Sequence, residues 1–133
     1  MGLKLCGMHM MDSGRIEKGF RHFGHDITCE DHVVDAGLGF AVKTDKPDFI
    51  GREAVIARKE SGPQNRMLQF KLTDPEPLLF HNEPILRDGE YVGYLTSGNY
   101  RHTLGGAMGL GYGPCAGEKD GRMPAPTNGS RGQ

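Results

Sequence analysis

Residues 85–96, ILRDGEYVGYLT, are the stretch that decides the fold predicted from the sequence. Within it the dipeptide Asp88-Gly89 separates two runs, 85–87 and 91–96, whose residues favour strands. An Asp-Gly pair accepts the positive φ angles of a tight hairpin turn, so two such runs on either side of it are typical of paired antiparallel strands. We therefore predict a β-hairpin here.

The same kind of pattern continues on both sides of the hairpin. Leu68, Phe70 and Leu72 alternate with polar residues, and a last apolar run at 107–112 follows a predicted loop at 97–106. Glycines recur inside these runs, which is typical of bulges or of backbones that approach each other closely. The second half of the chain is therefore predicted to be β structure.

The first half combines helical and strand-like patterns. A helix is predicted within residues 3–20, with Gly19 as its stop, and a second helix at 52–61, ended by Gly62-Pro63. Between them, a period of two through residues 33–43 predicts a strand. The chain is thus expected to be of the α+β class.

Composition limits the possible partners and the compartment. The 133 residues fit one domain or a small domain with an appendage, and 16 basic against 17 acidic residues give a net charge of −1. That charge supplies no long-range attraction for nucleic acid or for an anionic membrane, and no apolar run approaches the roughly 20 residues of a membrane helix. The three cysteines form no close pair. We expect a cytoplasmic protein with neither nucleic acid nor membrane as a partner.

Few motifs point to chemistry by themselves. His22, His25 and Asp26 are close in sequence, but no further ligand follows at the spacing of a zinc site, so we predict a loop and no metal site. Cys6 and Cys29 lack the context of a nucleophile, and no catalytic residue is predicted. Arg15 is either a solvated residue on a helix face or an anion clamp, and the residues alone leave both interpretations open.

Seven segments, taken in order, point to a family. They are DSGRIEKG (12–19), HFGHDI (22–27), AGLGFAVK (36–43), FIGREA (49–54), PEPLL (75–79), VGYLTSG (92–98) and GLGY (109–112). Together they resemble the glycine cleavage T-protein, or aminomethyltransferase, family, in particular the T-protein-like module of dimethylglycine and sarcosine dehydrogenases. Any one of these strings is weak evidence, whereas seven in series are specific.

The resemblance refines the expected fold. It implies that residues 1–63 are the end of the folate-binding domain, a helix and strand remnant. Residues 64–113 are then an incomplete antiparallel β-barrel of about five strands. Residues 114–133 leave the family pattern after Cys115 and are polar and rich in glycine and proline, so we predict a disordered tail.

The resemblance also implies a function. Such modules transfer a one-carbon unit from an N-methyl amine, such as dimethylglycine or sarcosine, to tetrahydrofolate; FAD belongs to a separate domain of the parent enzyme. Arg15 matches an arginine that lines the folate pocket and is expected to hold the glutamate or aminobenzoate portion. Ser97, Gly98 and Tyr100 lie on a barrel loop expected to face the same pocket. Glu17, His25 and Asp26 are expected to pair helix with loop.

The resemblance places the reactive aspartate and the glutamate that grips the pterin ring outside this sequence. The isolated chain is therefore expected to be inactive and to need the upstream domain. Unpaired barrel edges also favour self-association. The alternative interpretation is a non-catalytic β-barrel interaction module without folate binding.

Overall fold

The computed structural model, which describes residues 2–115, has two α-helices followed by a four-stranded antiparallel sheet. The elements are α1 (Met8–Glu17), a 3₁₀ turn (Gly39–Ala41), α2 (Arg52–Ser61), β1 (Asn65–Lys71), β2 (Pro84–Arg87), β3 (Glu90–Arg101) and β4 (Gly106–Pro114). The strand order is β1-β4-β3-β2, and within the described residues the sheet does not close on itself. The predicted α+β class with an incomplete barrel is confirmed.

The hairpin forms where the Asp-Gly pair predicts it. Strands β2 and β3 pair in antiparallel register through Arg87 and Glu90, and Asp88 and Gly89 between them have φ angles of 53° and 84°. Both angles are positive, as a tight two-residue turn between right-handed twisted strands requires. The local sequence therefore fixes this part of the sheet.

Helix α1 ends in a glycine-dependent cap. Gly19 has a φ of 69°, and the N–H groups of Gly19 and Phe20 donate to the carbonyl oxygens of Ile16 and Arg15 at 3.0 and 2.8 Å. This is the Schellman arrangement, which satisfies carbonyls left without partners at a helix end. The cap turns the chain directly from α1 into the loop at 22–27.

Helix α1 lies against one face of the sheet. Its buried residue Ile16 packs with Met67, Met108 and Leu110 of β1 and β4. Full burial of an aliphatic side chain of this size contributes about 1.5–3 kcal/mol. This cluster holds α1 over the sheet and so determines where the cleft described below can form.

Two glycines of β3 allow other backbone segments to approach this strand closely. A Cβ atom on Gly93 would lie 2.1 Å from the carbonyl oxygen of Tyr112, and one on Gly98 would lie 2.7 Å from that of Leu79. Both distances are far below van der Waals contact with a backbone atom that cannot move aside. The expectation that glycines within strands mark close backbone approach is confirmed here.

Two expectations about secondary structure are wrong. Residues 33–43 form turns and a 3₁₀ segment, because Gly37 has a φ of 70° and the N–H of Leu38 donates locally to the carbonyl oxygen of Val33 at 2.8 Å. The apolar alternation therefore does not lead to a strand. The predicted loop at 97–106 is mostly strand, since β3 continues to Arg101 and only residues 102–105 turn.

In the part of the chain that the structure describes, neither helix has the length and apolarity needed to cross a lipid bilayer. The predicted disordered tail at 114–133 lies outside the described residues except for Pro114 and Cys115.

Candidate functional site

A bulge in β3 brings two hydroxyl groups onto one carboxylate. Leu95 pairs with Gly111 across β4 and Ser97 pairs with Leu110, so Thr96 is the extra residue on the β3 side. A bulge of this kind re-aims side chains that would otherwise alternate between the faces of the sheet. As a result, the hydroxyls of Thr96 and Ser97 both donate to Oδ1 of Asp26 at 2.6 Å.

Asp26 is a buried carboxylate with a complete set of partners. It is 1% exposed, and its Oδ2 accepts the backbone N–H of His22 at 2.8 Å and Nη1 of Arg15 at 2.6 Å. Burial by itself raises the pKa of Asp26, but the hydrogen bonds from Ser97, Thr96 and the His22 N–H, together with the charge of Arg15, leave the pKa below its ordinary value. Asp26 is therefore ionised at neutral pH.

Arg15, in the last turn of α1, joins three parts of the chain. Its Nε donates to Oδ1 of Asp12 at 2.8 Å, and its Nη2 donates to Oγ of Ser97 at 2.8 Å. Its Nη1 contacts Asp26 and, at 3.4 Å, the carbonyl oxygen of Phe20. Four of the five guanidinium N–H groups thus have acceptors within the protein. Arg15 fastens α1 to the loop at 22–27 and to β3, with one N–H left over.

A cleft of about 460 Å³ opens beside this network, between α1, the loop at 22–27 and β3. We call it the α1 cleft. Its lining residues are Met8, His9, Met11, Asp12, Arg15, Ile16, His22, His25, Phe80, His81, Ser97, Gly98 and Asn99. Its volume lies within the range of roughly 300–1,000 Å³ that is usual for small-molecule sites, and it combines apolar walls with a few polar groups.

Histidines are the most frequent polar residues of the α1 cleft. The rings of His22 and His25 are stacked, with centroids 4.8 Å apart and planes inclined by 13°. Their loop is fixed because the carbonyl oxygen of His22 accepts the N–H groups of His25 and Asp26 at 3.2 and 2.8 Å. Among residues 2–115 no group of three or more histidine, cysteine, aspartate or glutamate side chains is placed to hold a metal ion.

The structure separates the two residues that the sequence proposes for binding. Arg15 lines the α1 cleft, whereas Tyr100 is not among its lining residues. The Tyr100 ring packs edge-on against His102 at 5.2 Å, and its carbonyl oxygen accepts the hydroxyl of Ser13 at 3.0 Å. The roles of Arg15 and Tyr100 in ligand binding stay predictions.

The expected pairing of helix with loop involves Asp26 and Glu17 but not His25. Asp26 binds Arg15 of α1, and Glu17 accepts the hydroxyl of Thr103 from the turn after β3. His25 instead lies in the wall of the α1 cleft, stacked on His22. The short spacing of these residues in sequence indicated a shared loop but not the direction of each side chain.

Sequence reasoning missed Thr96 and Arg101. Thr96 reaches Asp26 because of the bulge, and the glycines of the strand runs, although typical of bulges, did not indicate where this one would lie. Arg101 is completely buried, and its Nη1 donates to the carbonyl oxygen of Asp12 at 3.2 Å. Burial lowers the pKa of Arg101; the charges of Glu17 and Asp12 oppose that shift, whereas Arg15 adds to it. The sequence placed Arg101 in a predicted loop and so gave no sign that it would be buried.

Comparison with family models agrees with this architecture. Residues 65–131 match the glycine cleavage T-protein C-terminal barrel domain, and residues 1–46 match the GCVT N-terminal domain. The first match continues to residue 131, so the expectation that the sequence leaves the family pattern after Cys115 is wrong.

Individual proteins are similar over most of the chain. A 4-methylaminobutanoate oxidase (formaldehyde-forming) of Paenarthrobacter nicotinovorans is 46% identical over 111 residues, which is 83% of this chain and 14% of that protein. An aminomethyltransferase of Halothermothrix orenii is 38% identical over 112 residues, 84% of this chain and 31% of that protein. The chain thus spans less than a third of either relative.

A solved structure shows the same fold. The crystal structure of glycine cleavage system aminomethyltransferase T from Bartonella henselae superimposes with a TM-score of 0.71 at 30% sequence identity. The similarity covers 79% of this chain and 30% of that one.

Proposed function

The chain belongs to the glycine cleavage T-protein family, and from that premise we propose that it forms the C-terminal part of a tetrahydrofolate-dependent aminomethyltransferase module. The parent module transfers a one-carbon unit from an N-methyl amine, such as dimethylglycine or sarcosine, to tetrahydrofolate. The observation that supports this proposal is the α1 cleft, whose wall is fixed by the contacts of Arg15 with Asp26 and Ser97.

Both proposed domains contribute residues to the α1 cleft. Residues 1–63, the end of the folate-binding domain, supply α1 and the loop at 22–27, whereas residues 64–113, the barrel part, supply Phe80, His81 and the β3 residues. Ligand sites often form where two such units meet. The proposal assigns residues 114–133 to a tail without a role in the site.

The lining residues fit a reduced folate. Met8, Met11 and Phe80 offer apolar surface to flat rings. Arg15 has one N–H left and two carboxylate partners, so it suits a neutral acceptor such as the amide carbonyl of the aminobenzoyl portion better than a free carboxylate. When bound, tetrahydrofolate supplies the amine nitrogens that accept the one-carbon unit. This chain's residues bind and orient it.

Two parts of the proposal concern residues beyond the α1 cleft. Tyr100 is proposed as a second contact that needs the rest of the module, since its ring packs outside the lining of the cleft. The reactive carboxylate is proposed to come from the remainder of the parent protein, because both carboxylates beside Arg15 are engaged. Asp12 accepts Nε of Arg15, and Asp26 accepts four hydrogen bonds. The purified chain is therefore expected to show no turnover of sarcosine with tetrahydrofolate.

Anaerobic calorimetric titration of tetrahydrofolate into the chain tests the proposal. We expect saturable binding that Arg15→Ala weakens about tenfold or more. The substitution removes a hydrogen-bond donor from the cleft and the contacts with Asp26 and Ser97 that hold its wall. Arg58→Ala is the matched control: Arg58 contacts Asp35 at 2.7 Å, and neither residue lines the α1 cleft. Circular dichroism verifies that both variants fold.

Three results would contradict the proposal. Flat heats with folded wild-type protein favour the alternative, a barrel module that binds no folate. If Arg15→Ala and Arg58→Ala weaken tetrahydrofolate binding equally, Arg15 has no specific role in the site. Turnover by the purified chain would show that the chain itself holds the reactive carboxylate.

A further inference from the structure

Two neighbouring hydroxyl groups of β3 contact the same oxygen of Asp26 but have different second contacts. The hydroxyls of Thr96 and Ser97 both lie 2.6 Å from Oδ1 of Asp26. The Thr96 oxygen also lies 3.2 Å from the carbonyl oxygen of Leu110 in β4, and Thr96 is not among the lining residues of the α1 cleft. The Ser97 oxygen lies 2.8 Å from Nη2 of Arg15, and Ser97 lines the cleft. Of the two hydroxyls, that of Ser97 therefore links Asp26 to Arg15 at the cleft.

The chemistry of its two neighbours determines where the proton of the Ser97 hydroxyl lies. A guanidinium group donates hydrogen bonds and cannot accept them, whereas an ionised carboxylate accepts them and cannot donate. Asp26 is ionised at neutral pH, so the O–H of Ser97 donates to Asp26, and a lone pair of the same oxygen accepts from Arg15. The direction of this hydroxyl is therefore set before a ligand binds.

The hydrogen bonds of Arg15 show where its unused donor lies. Nε donates to Asp12, and the two N–H groups of Nη1 are used by Asp26 at 2.6 Å and by the carbonyl oxygen of Phe20 at 3.4 Å. Within residues 2–115, Nη2 has Ser97 as its acceptor. The N–H that the guanidinium group leaves over is therefore the second hydrogen of Nη2, the nitrogen that Ser97 holds.

A closed ring of contacts holds this donor in one direction. Arg15 donates to Asp26 and to Ser97, and Ser97 donates to Asp26. Because a guanidinium group is planar, holding one hydrogen of Nη2 sets the direction of the other. The Arg15 side chain is 13% exposed, so few water molecules can compete for that hydrogen. Loss of the Ser97 oxygen would leave both hydrogens of Nη2 without an acceptor and would free the group to turn.

We propose that Ser97 is a positioning residue: it holds Nη2 of Arg15 so that the remaining N–H of this nitrogen donates to a neutral carbonyl oxygen of the ligand in the α1 cleft. This inference rests on the proposed function, which makes that oxygen the amide carbonyl of the aminobenzoyl portion of tetrahydrofolate. Arg15 lies in the part of the chain that matches the GCVT N-terminal domain, and Ser97 lies in the part that matches the C-terminal barrel domain. The barrel thus orients a donor that the other domain supplies.

Substitution of each hydroxyl separates positioning from a structural role. Ser97→Ala and Thr96→Val each remove one buried hydroxyl from Oδ1 of Asp26, so urea unfolding should show similar losses of stability. Anaerobic calorimetry with tetrahydrofolate should show different losses of affinity. We expect about five- to tenfold weaker binding for Ser97→Ala, the effect of one misdirected hydrogen bond, and at most about twofold weaker binding for Thr96→Val, which acts through Asp26 alone.

A second readout follows Arg15 in the wild-type chain and does not depend on the folding of a variant. Nitrogen NMR of the guanidinium groups should give separate signals for the two Nη2 hydrogens of Arg15, because the contacts with Asp26 and Ser97 hinder rotation about the bond from Cζ to Nη2. Tetrahydrofolate should shift one of these signals strongly and leave the other, which belongs to the hydrogen held by Ser97. Arg15→Lys, which lacks the guanidinium group, assigns the signals by their loss.

The outcomes distinguish the failure of this proposal from the failure of the proposed function. Saturable tetrahydrofolate binding that Ser97→Ala and Thr96→Val weaken equally overturns the positioning role and leaves the folate function standing. Saturable binding with a single averaged Nη2 signal of Arg15, or with both signals shifted alike, has the same consequence. Flat heats with folded wild-type chain overturn both proposals.

Discussion

Two aspartate–arginine pairs join helices to the rest of the molecule, and they are satisfied to very different degrees. Asp26 accepts four hydrogen bonds and contacts Arg15 of α1 beside the α1 cleft. Asp35 contacts Arg58 of α2 at 2.7 Å, but its Oδ1 and Nε of Arg58 are buried without a partner in residues 2–115. The same pair of side chains is thus a complete network in one region and a single contact in the other. The difference indicates that the Asp26 region is built to hold a fixed shape.

The largest expected effect is the loss of the Asp26 carboxylate. Asp26→Ala leaves the charge of Arg15 and three neutral donors without their common acceptor in a buried setting, and we expect a loss of about 3–5 kcal/mol in the free energy of unfolding. Urea unfolding followed by circular dichroism measures it. A loss below about 1 kcal/mol would show that the network is not a determinant of the fold.

The second prediction tests the contrast directly. Asp35→Ala removes one ion pair whose side chains are 26% and 12% exposed, and which already contains unpartnered atoms. We expect a loss of about 1–2 kcal/mol in the same urea measurement, since partly solvated pairs contribute little and one orphaned oxygen disappears with the substitution. Equal losses for the two aspartate variants would remove the distinction between the two regions.

Local sequence was sufficient to predict much of the fold. The Asp88-Gly89 hairpin follows from the residues of its turn. The helix at Arg52–Ser61 follows from its glycine–proline stop signal and the placement of its charges. All of these signals act over a few residues. The strand predicted at 33–43 failed because apolar alternation competes there with local hydrogen bonds around Gly37. The period of two was present, but the backbone groups that a strand would need were used within turns.

The site was less predictable than the fold. Arg15 and Asp26 were both noticed, 11 residues apart, yet their shared partner Ser97 is 82 residues from Arg15. Thr96 joins them through a bulge whose position the sequence does not show. Contacts of this kind depend on how β3 meets the loop at 22–27, which a single sequence does not state. The resemblance to a family singled out Arg15, whereas only the structure shows that most donors of Arg15 are occupied.

The third prediction sharpens the comparison with Arg101, which forms no ion pair with a carboxylate within residues 2–115. Arg101 is completely buried, with Nε and Nη2 unpartnered in residues 2–115. Arg101→Met keeps an unbranched apolar side chain and removes the buried charge with its unpartnered nitrogens, so we expect the free energy of unfolding to rise by about 1–2 kcal/mol. Thermal unfolding measures the change, and Arg15→Met, which breaks a satisfied network, should lower stability. Destabilisation by Arg101→Met would mean that water or an anion completes the contacts of Arg101.

The smallest expected effect is a pH dependence specific to the Asp26 region. The pKa of Asp26 lies below its ordinary value in the folded chain. A lowered folded-state pKa means that the stabilisation is fully present above the unfolded-state value of about 3.9 and is lost as the pH falls through the folded-state pKa. The stability difference between wild type and Asp26→Asn should therefore be constant above about pH 5 and shrink below about pH 4. Urea unfolding at pH 3 to 7 measures this difference. A difference that stays constant down to pH 3 would mean that the Asp26 network acts through its hydrogen-bond geometry alone, and its contrast with Asp35 would then rest on the number of partners and not on the charge that they stabilise.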